Sequence, residues 1–290
     1  MSALGRASAY DGDNTRPTRD SGTLSRMEVE EATARCRLAT YAVWRAEALV
    51  HGGEVAVIDG VQMWHTGVPV GYWNGAHVTA VPVEPERTLR RVPDWFAERK
   101  MPYGVLVPVE LEPAMAAAAG ATGLQLAKVQ PCMTLAAADY TPPAHRTAGL
   151  EVRRTGPADV EDFLAVQVGA FAMDPATARD FLAPPIGQPG WIHLTGYVGG
   201  VPVASAIGVR TSDAVGVYGV GTTQGARRRG FGAALTAHLL TDAFSSGAAL
   251  AHLNPTEMGA GVYGRLGFRD VPGFAIWLPA GTRSATDCGN

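Results

Sequence analysis

The pattern of apolar and polar positions divides the chain into segments of distinct period. From Glu28 onward, apolar residues at Ala32, Cys36, Leu38, Tyr41, Ala42, Trp44 and Leu49 follow helical spacing until the Gly52-Gly53 pair, which predicts a first helix. Strands are expected over 54–58 and 61–65, joined by Asp59-Gly60, a dipeptide suited to the tight turn of a hairpin. A third strand is read near 76–81, a helix over 88–99, a buried strand over 103–109 and a short helix over 113–119. Residues 124–136 read as strands interrupted by Pro131.

The extended, proline-containing stretch around Thr141-Pro142-Pro143-Ala144 marks a linker at 141–148. Beyond it the pattern predicts a strand at 151–154, helices at 158–171 and 175–182, and a hairpin of 191–198 with 201–209 turning at Gly199-Gly200. A third apolar strand at 214–222 completes an antiparallel meander. A helix over 230–244, a strand over 248–253, a short helix near 261–266 and strand pieces up to 278 follow. Residues 1–24 are polar without periodicity and are expected to form a disordered arm; residues 281–290 read as a tail. The organisation expected is therefore an N-terminal lobe at 25–140 and a second domain at 149–280.

Composition agrees with a folded α/β protein. Of 290 residues, 47% are hydrophobic and 18% charged, enough apolar surface to offset chain entropy, and the length favours two domains. With 24 basic against 27 acidic residues, the net charge of -3 gives no general attraction to nucleic acid or to an anionic membrane. Cys36, Cys132 and Cys288 share no close spacing, so neither a disulfide framework nor a metal site is indicated, and a reducing, cytoplasmic setting suits them. No segment has the length and apolarity of a signal peptide or membrane span.

The stretch from Val220 to Leu235 carries the clearest chemistry. A buried strand gives way to a basic, glycine-containing loop (Arg227, Arg228, Arg229, Gly230, Phe231, Gly232) that opens into a helix with apolar positions at Phe231, Leu235, Leu239 and Ala243. A helix N-terminus offers unpaired N–H groups and partial positive charge to phosphate oxygens, and glycines let a ligand approach the backbone. A solvated basic loop capping a surface helix is the plain alternative. A dinucleotide fold fits poorly: after Gly219 and Gly221 the third glycine of its fingerprint falls on Gln224, and the next strand ends at Asn254 without the ribose-binding acid.

Two motifs in order then carry a family resemblance. Arg227-x-x-Gly230-x-Gly232 resembles the Q/R-x-x-G-x-G/A pyrophosphate motif of the GNAT superfamily of N-acetyltransferases, and the element order from 151 to 278 is similar to that fold. Downstream, Tyr263 stands four residues before Gly267-Phe268, as in the family's final helix. The resemblance implies acetyl-CoA as co-substrate, without a metal, and direct attack of an amine on the thioester. It implies that the backbone of Val220, Gly221 and Thr222 holds the pantetheine arm, that residues 227–232 hold the diphosphate, and that Tyr263 protonates the leaving thiolate. Thr256, where many relatives carry Asn or Ser, and Asn254 are expected to contact the cofactor. The acceptor expected is a primary amine of a small metabolite or a peptide N-terminus; a non-catalytic acyl-CoA sensor or scaffold is the alternative, and a homodimer is compatible. No base stands out: His252, Glu257, Asp213 and His193 are the candidates.

The first half echoes the second. At an offset of 144 residues, Ala119-Gly120-Ala121-Thr122-Gly123-Leu124 falls opposite Tyr263-Gly264-Arg265-Leu266-Gly267-Phe268, and residues 131–136 fall opposite 275–280. Ala119 replaces the tyrosine, and residues 25–140 contain no R-x-x-G-x-G motif, the corresponding region being read at Thr88 to Phe96. The N-terminal lobe thus resembles a GNAT unit without its cofactor site, a tandem layout similar to that of mycothiol synthase. Its expected role is to shape the acceptor site with Met63-Trp64-His65 and Tyr72-Trp73-Asn74.

Overall fold

The computed structural model describes residues 26–144 and 147–282. The expected arm at 1–24 lies outside the described residues, as do 145–146 of the linker and 283–290 of the tail. The N-terminal half runs α1 (Arg26–Val50), β1 (Glu54–Ile58), β2 (Val61–His65), β3 (Gly75–Val78), α2 (Pro85–Glu98), β4 (Gly104–Pro108), α3 (Glu112–Ala121) and β5 (Leu124–Ala136). The C-terminal half runs β6 (Glu151–Arg154), α4 (Val160–Phe171), α5 (Pro175–Leu182), β7 (Trp191–Val198), β8 (Val201–Thr211), β9 (Ala214–Thr222), α6 (Phe231–Ser245), β10 (Leu250–Leu253), α7 (Glu257–Arg265) and β11 (Arg269–Pro279).

Among the described residues, eleven strands join one mixed sheet in the order β1-β2-β3-β4-β11-β5-β10-β9-β8-β7-β6. The order exposes the repeat. Each half contains an antiparallel run (β1-β2-β3; β7-β8-β9) followed by a parallel partner, β4 beside β3 and β10 beside β9. The halves then exchange their last strands. β5 of the first half pairs antiparallel with β10 of the second, and β11 of the second pairs antiparallel with β4 of the first, while β5 and β11 run together along the seam.

The two glycine-containing dipeptides set their hairpins as expected: Asp59 and Gly60 have φ of 45° and 78°, Gly199 and Gly200 of 57° and 79°. Two expectations change. Pro131 does not interrupt β5, because it sits opposite the irregularity between Val271 and Phe274 of β11, where a missing N–H costs no regular ladder bond. α2 begins at Pro85 rather than near Thr88, since proline is at home in a helix's first turn. At the 144-residue offset, residues 83–88 therefore stand opposite the 227–232 loop.

One face of the sheet carries α2, α3, α6 and α7. Phe231, Leu235, Leu239 and Leu240 of α6 cover Val215, Val217 and Ala251, while Leu89, Val92 and Phe96 of α2 cover Met63, Ala76 and Val105. The other face carries α4, α5 and the long α1, which crosses the seam: Trp44 stacks on Trp64 at 4.9 Å and Tyr41 on His77 at 3.7 Å in the first half. Val43 of the same helix joins Phe163, Phe181 and Ile207 in the second.

Candidate active site

The site lies where β9 outruns its parallel neighbour. β9 pairs with β10 only from Ala214 to Gly216, so its edge from Val217 to Thr222 is free of strand partners on that side. An irregularity in the β8–β9 ladder, between the Ser205–Gly221 and Ile207–Tyr218 pairs, bends β9 away at this point. Gln167 of α4 fixes the bend: its Nε2 donates to the Gly219 carbonyl at 2.7 Å and to Ser205 Oγ at 2.9 Å. Gly221 must be glycine here, because a Cβ would stand 2.8 Å from Ala170 Cβ and 2.9 Å from a Phe171 ring carbon. From Val220 to Thr222 the strand thus presents open backbone on its side away from β8, the arrangement in which an extended chain can be held by main-chain hydrogen bonds.

β9 leads through a single 3-10 turn, Gln224–Ala226, into the basic loop and α6. Gly230 occupies the N-cap with φ 80°, a left-handed conformation that favours glycine. No side chain caps the helix, and the first backbone bond to the cap is Ala234 N–H to Gly230 O at 3.0 Å. The N–H groups of Phe231, Gly232 and Ala233 precede it and face outward with the helix's partial positive charge. The three arginines divide their work. Arg227 donates Nε to Thr222 O (3.3 Å) and Nη2 to Ala170 O (3.2 Å), clasping β9 to α4; Arg229 lies over the Phe231 ring at 4.7 Å. Arg228 is exposed with φ 62°.

Tyr263 stands on α7, which packs on the same face of the sheet as α6. Its ring meets Phe268 edge-on at 5.9 Å, and its hydroxyl makes no hydrogen bond among the described residues. Burial pushes the phenol up to about 12, so it remains a proton donor throughout the neutral range. α7 starts four residues earlier than its periodicity suggests because Thr256 caps it, accepting from Gly259 N–H at 3.2 Å. Asn254 donates to Pro131 O at 3.2 Å and Cys132 Sγ at 2.9 Å, tying the end of β10 to β5.

The four base candidates separate by position. Asp213 is exposed, pairs with Arg35 at 2.9 Å and sits at the opposite end of β9 from the loop. Glu257 is exposed in the first turn of α7. His193 is buried beneath Phe163 and Trp191 in β7, away from the opening, and burial lowers it to about 4. His252 lies at the vertex, opposite Gly216; its Nδ1 faces Thr40 Oγ1 at 3.2 Å, and Nε2 has no partner among the described residues.

The aromatic groups of the first half also divide. Met63 and Trp64 are core, and Asn74 is structural, its amide accepting from Thr66 N–H and donating to the Val68 and Val70 carbonyls. His65 is buried beside Glu54 and Trp95. Trp73 reaches across to stack on Phe181 of α5 at 3.8 Å, with the exposed Tyr72 beside it. One residue escapes the sequence reading: Glu47 of α1, half-buried yet sunk deep enough that desolvation pushes its carboxyl up to about 8. The available signal was its position between Val43 and Val50, on a stripe that is otherwise apolar.

An open strand edge thus runs into an uncapped, glycine-led helix N-terminus, with the half-buried Tyr263 phenol on the same face of the sheet as that helix, an arrangement able to receive an extended anionic ligand. The comparisons agree with that class. Residues 151–271 match the family model described as an acetyltransferase (GNAT) domain, so the chain carries a GNAT acetyltransferase domain, the domain of a transferase. A GCN5-related N-acetyltransferase from Kribbella flavida superposes with a TM-score of 0.70 at 23% identity, covering 88% of this chain and 98% of that one. A GCN5-related N-acetyltransferase from Sphaerobacter thermophilus gives 0.59 at 16%, covering 86% and 92%. A tandem GNAT protein from the clavulanic acid biosynthesis pathway gives 0.54 at 16%, covering 77% and 79%. These likenesses establish a GNAT fold through most of the chain. No curated protein matches the sequence. No described helix is long and apolar enough to cross a membrane.

Proposed function

We propose that the chain is an acetyl-CoA-dependent N-acetyltransferase whose acceptor is the primary amine of a small molecule or a peptide N-terminus. The observation that carries this reading is the continuity of the free β9 edge with the open N-terminus of α6, the shape that a pantetheine arm followed by a diphosphate requires. The residues fit the group: Val220, Gly221 and Thr222 offer main-chain partners to the arm, and the N–H groups of Phe231 and Gly232 with Arg228 receive the diphosphate. The clasp made by Arg227 keeps strand and loop in register. When bound, acetyl-CoA supplies an activated acetyl carbonyl; the acceptor nitrogen forms the new C–N bond as the C–S bond breaks.

Two proton problems remain for the protein. An aliphatic amine with a reference pKa of about 10.4 is almost wholly ammonium at neutral pH and must lose a proton before it attacks. The sulfur must gain one as it leaves, and Tyr263, protonated and free of other hydrogen bonds, is the donor within this site. The N-terminal lobe shapes the acceptor side through Tyr72 and Trp73.

The test is intact-mass analysis of a mixed amine and peptide library incubated with acetyl-CoA, in which one class of amine gains a single acetyl group. With the acceptor in hand, Tyr263→Phe lowers kcat by about 10²–10⁴-fold while CoA affinity stays within threefold. Tight CoA binding with no acetylated amine would instead favour a sensor.

A further inference from the structure

The acid side of the reaction is provided for; the base side is not, and all four sequence candidates fall short on position or burial. Resting on the proposed acetyl transfer, we propose that Glu47 of α1 is the general base, taking the acceptor's ammonium proton in a crevice between the two halves.

Glu47 follows Val43 by one turn and precedes Val50 by another, so it lies on the face of α1 that packs against the second half. That packing brings α1 to Tyr218 of β9, two residues before Val220 on the free edge. Polar groups left unmatched come next. Among the described residues the Glu47 carboxyl has no hydrogen bond or ion pair, and the buried Tyr218 hydroxyl also has no partner. The Glu47 charge nevertheless acts on the phenols of both Tyr218 and Tyr72, adding to the burial that holds each above its usual value. A carboxyl deep among protein atoms and still touched by solvent is one that a ligand can approach, and in this proposal it forms the floor of the acceptor crevice. An ammonium group is the ligand that such a floor would receive: its N–H groups satisfy the carboxylate, and the flanking Tyr72 and Trp73 rings accept its charge and its carbon skeleton. The acceptor class is therefore a primary aliphatic amine with an apolar body.

Tyr263 packs on the α6 and α7 face of the sheet, Glu47 on the α1 and α4 face. Nitrogen approaches from one side and sulfur leaves on the other. Of the two protons that the nitrogen loses, one passes to a Glu47 oxygen and on to solvent, and the other balances the proton that Tyr263 gives the sulfur. A carboxyl raised to about 8 suits the task, because a base near the working pH combines a useful ionised fraction with enough basicity to compete for an ammonium proton. The groups facing it are Tyr218 from β9, Tyr72 from the turn at 71–73, and His51 one turn along α1. The His51 ring is fixed between the carbonyl oxygens of Glu47 and Phe181 at 2.7 Å each. Cys36, Cys132 and His252 lie beneath Tyr218 at the seam.

The decisive variant is Glu47→Gln, which keeps the volume. In the full chain without acyl donor, ¹³C NMR of labelled glutamates shows one carboxyl titrating near 8 in the wild type and missing from the variant. With the amine identified by the mass screen, wild-type kcat/KM rises with pH through an inflection near 8, because the base works only when ionised. Glu47→Gln loses that inflection and about 10²–10⁴-fold in kcat/KM, Glu47→Asp recovers part of it, and calorimetric CoA affinity is unchanged in both. A Gln variant that keeps the wild-type pH profile, or that only raises KM, overturns the base and leaves the acetyltransferase standing. A wild type that acetylates no amine overturns both.

Discussion

The two halves share a plan from their antiparallel strands onward, and three of their differences lie at the opening. In the second half, β9 runs six residues beyond its last pair with β10 before entering the loop. In the first, β3 stops at Val78, and Thr79 turns back to donate N–H and hydroxyl to Gly60 O at 2.7 and 2.9 Å. Where the second half has Arg227, Arg228, Gly230 and Gly232, the first has Val83, Glu84, Glu86 and Thr88, with the acids already paired to Arg87 and Arg90. Where the second has Tyr263, the first has Ala119, buried with Met115 against β4 and β5. The lesson is that the fold alone does not make the site. The same sheet and helices become a candidate acyl-CoA site only with an over-long strand, a positive loop and a phenol, and become a packing partner without them.

The largest effect should come from writing the first half's loop into the second. Arg228→Glu with Gly230→Glu places two negative charges against the diphosphate and a side chain at φ 80°. Lost charge-assisted bonds and the new repulsion are together worth about 3–4 kcal/mol, so CoA affinity measured by calorimetry falls by about two to three orders of magnitude, while the left-handed strain lowers the Tm. The reverse exchange, Ala119→Tyr, should give no second site. It overfills a packed core at a cost of about 1–3 kcal/mol, seen as a Tm several degrees lower with CoA stoichiometry still one per chain. The mildest change is Gly259→Ala, whose Cβ would meet the Tyr263 ring at 3.0 Å. Alanine favours the helix by up to about 1 kcal/mol over glycine, so stability holds while a shifted phenol lowers kcat by less than about tenfold.

Much of the plan was legible because local chemistry dictates it. Asp59-Gly60 and Gly199-Gly200 can adopt the positive φ that hairpin turns demand, and the strands on either side follow at once. The loop and Tyr263 were legible as spacing on known elements, and the 144-residue echo pairs α3 with α7 and β4 with β10. The exchange of β5 and β11 was not legible. An apolar strand shows which residues face the core and nothing about which edge it joins; Val105 pairs with Trp277 because the tertiary fold brings them together. Thr256 and Asn254 were read as cofactor contacts from their positions in the resemblance; the helix cap and the seam tether that their polar atoms make depend on tertiary packing, which the local pattern does not carry. Glu47 escaped because a glutamate among alanines in a helix reads as solvated surface until a second domain is laid over it.

The exchanged strands also bear on how the chain acquires its structure during synthesis. β4 is made long before β11, its partner in the sheet, so a nascent N-terminal half waits with an unpaired hydrophobic edge until the C-terminal strand emerges. Neither half can close its sheet alone. Assembly is thereby tied to completion of the last strand, and a ribosome that stalls before Arg269 releases two unfinished sheets rather than one finished domain and a fragment.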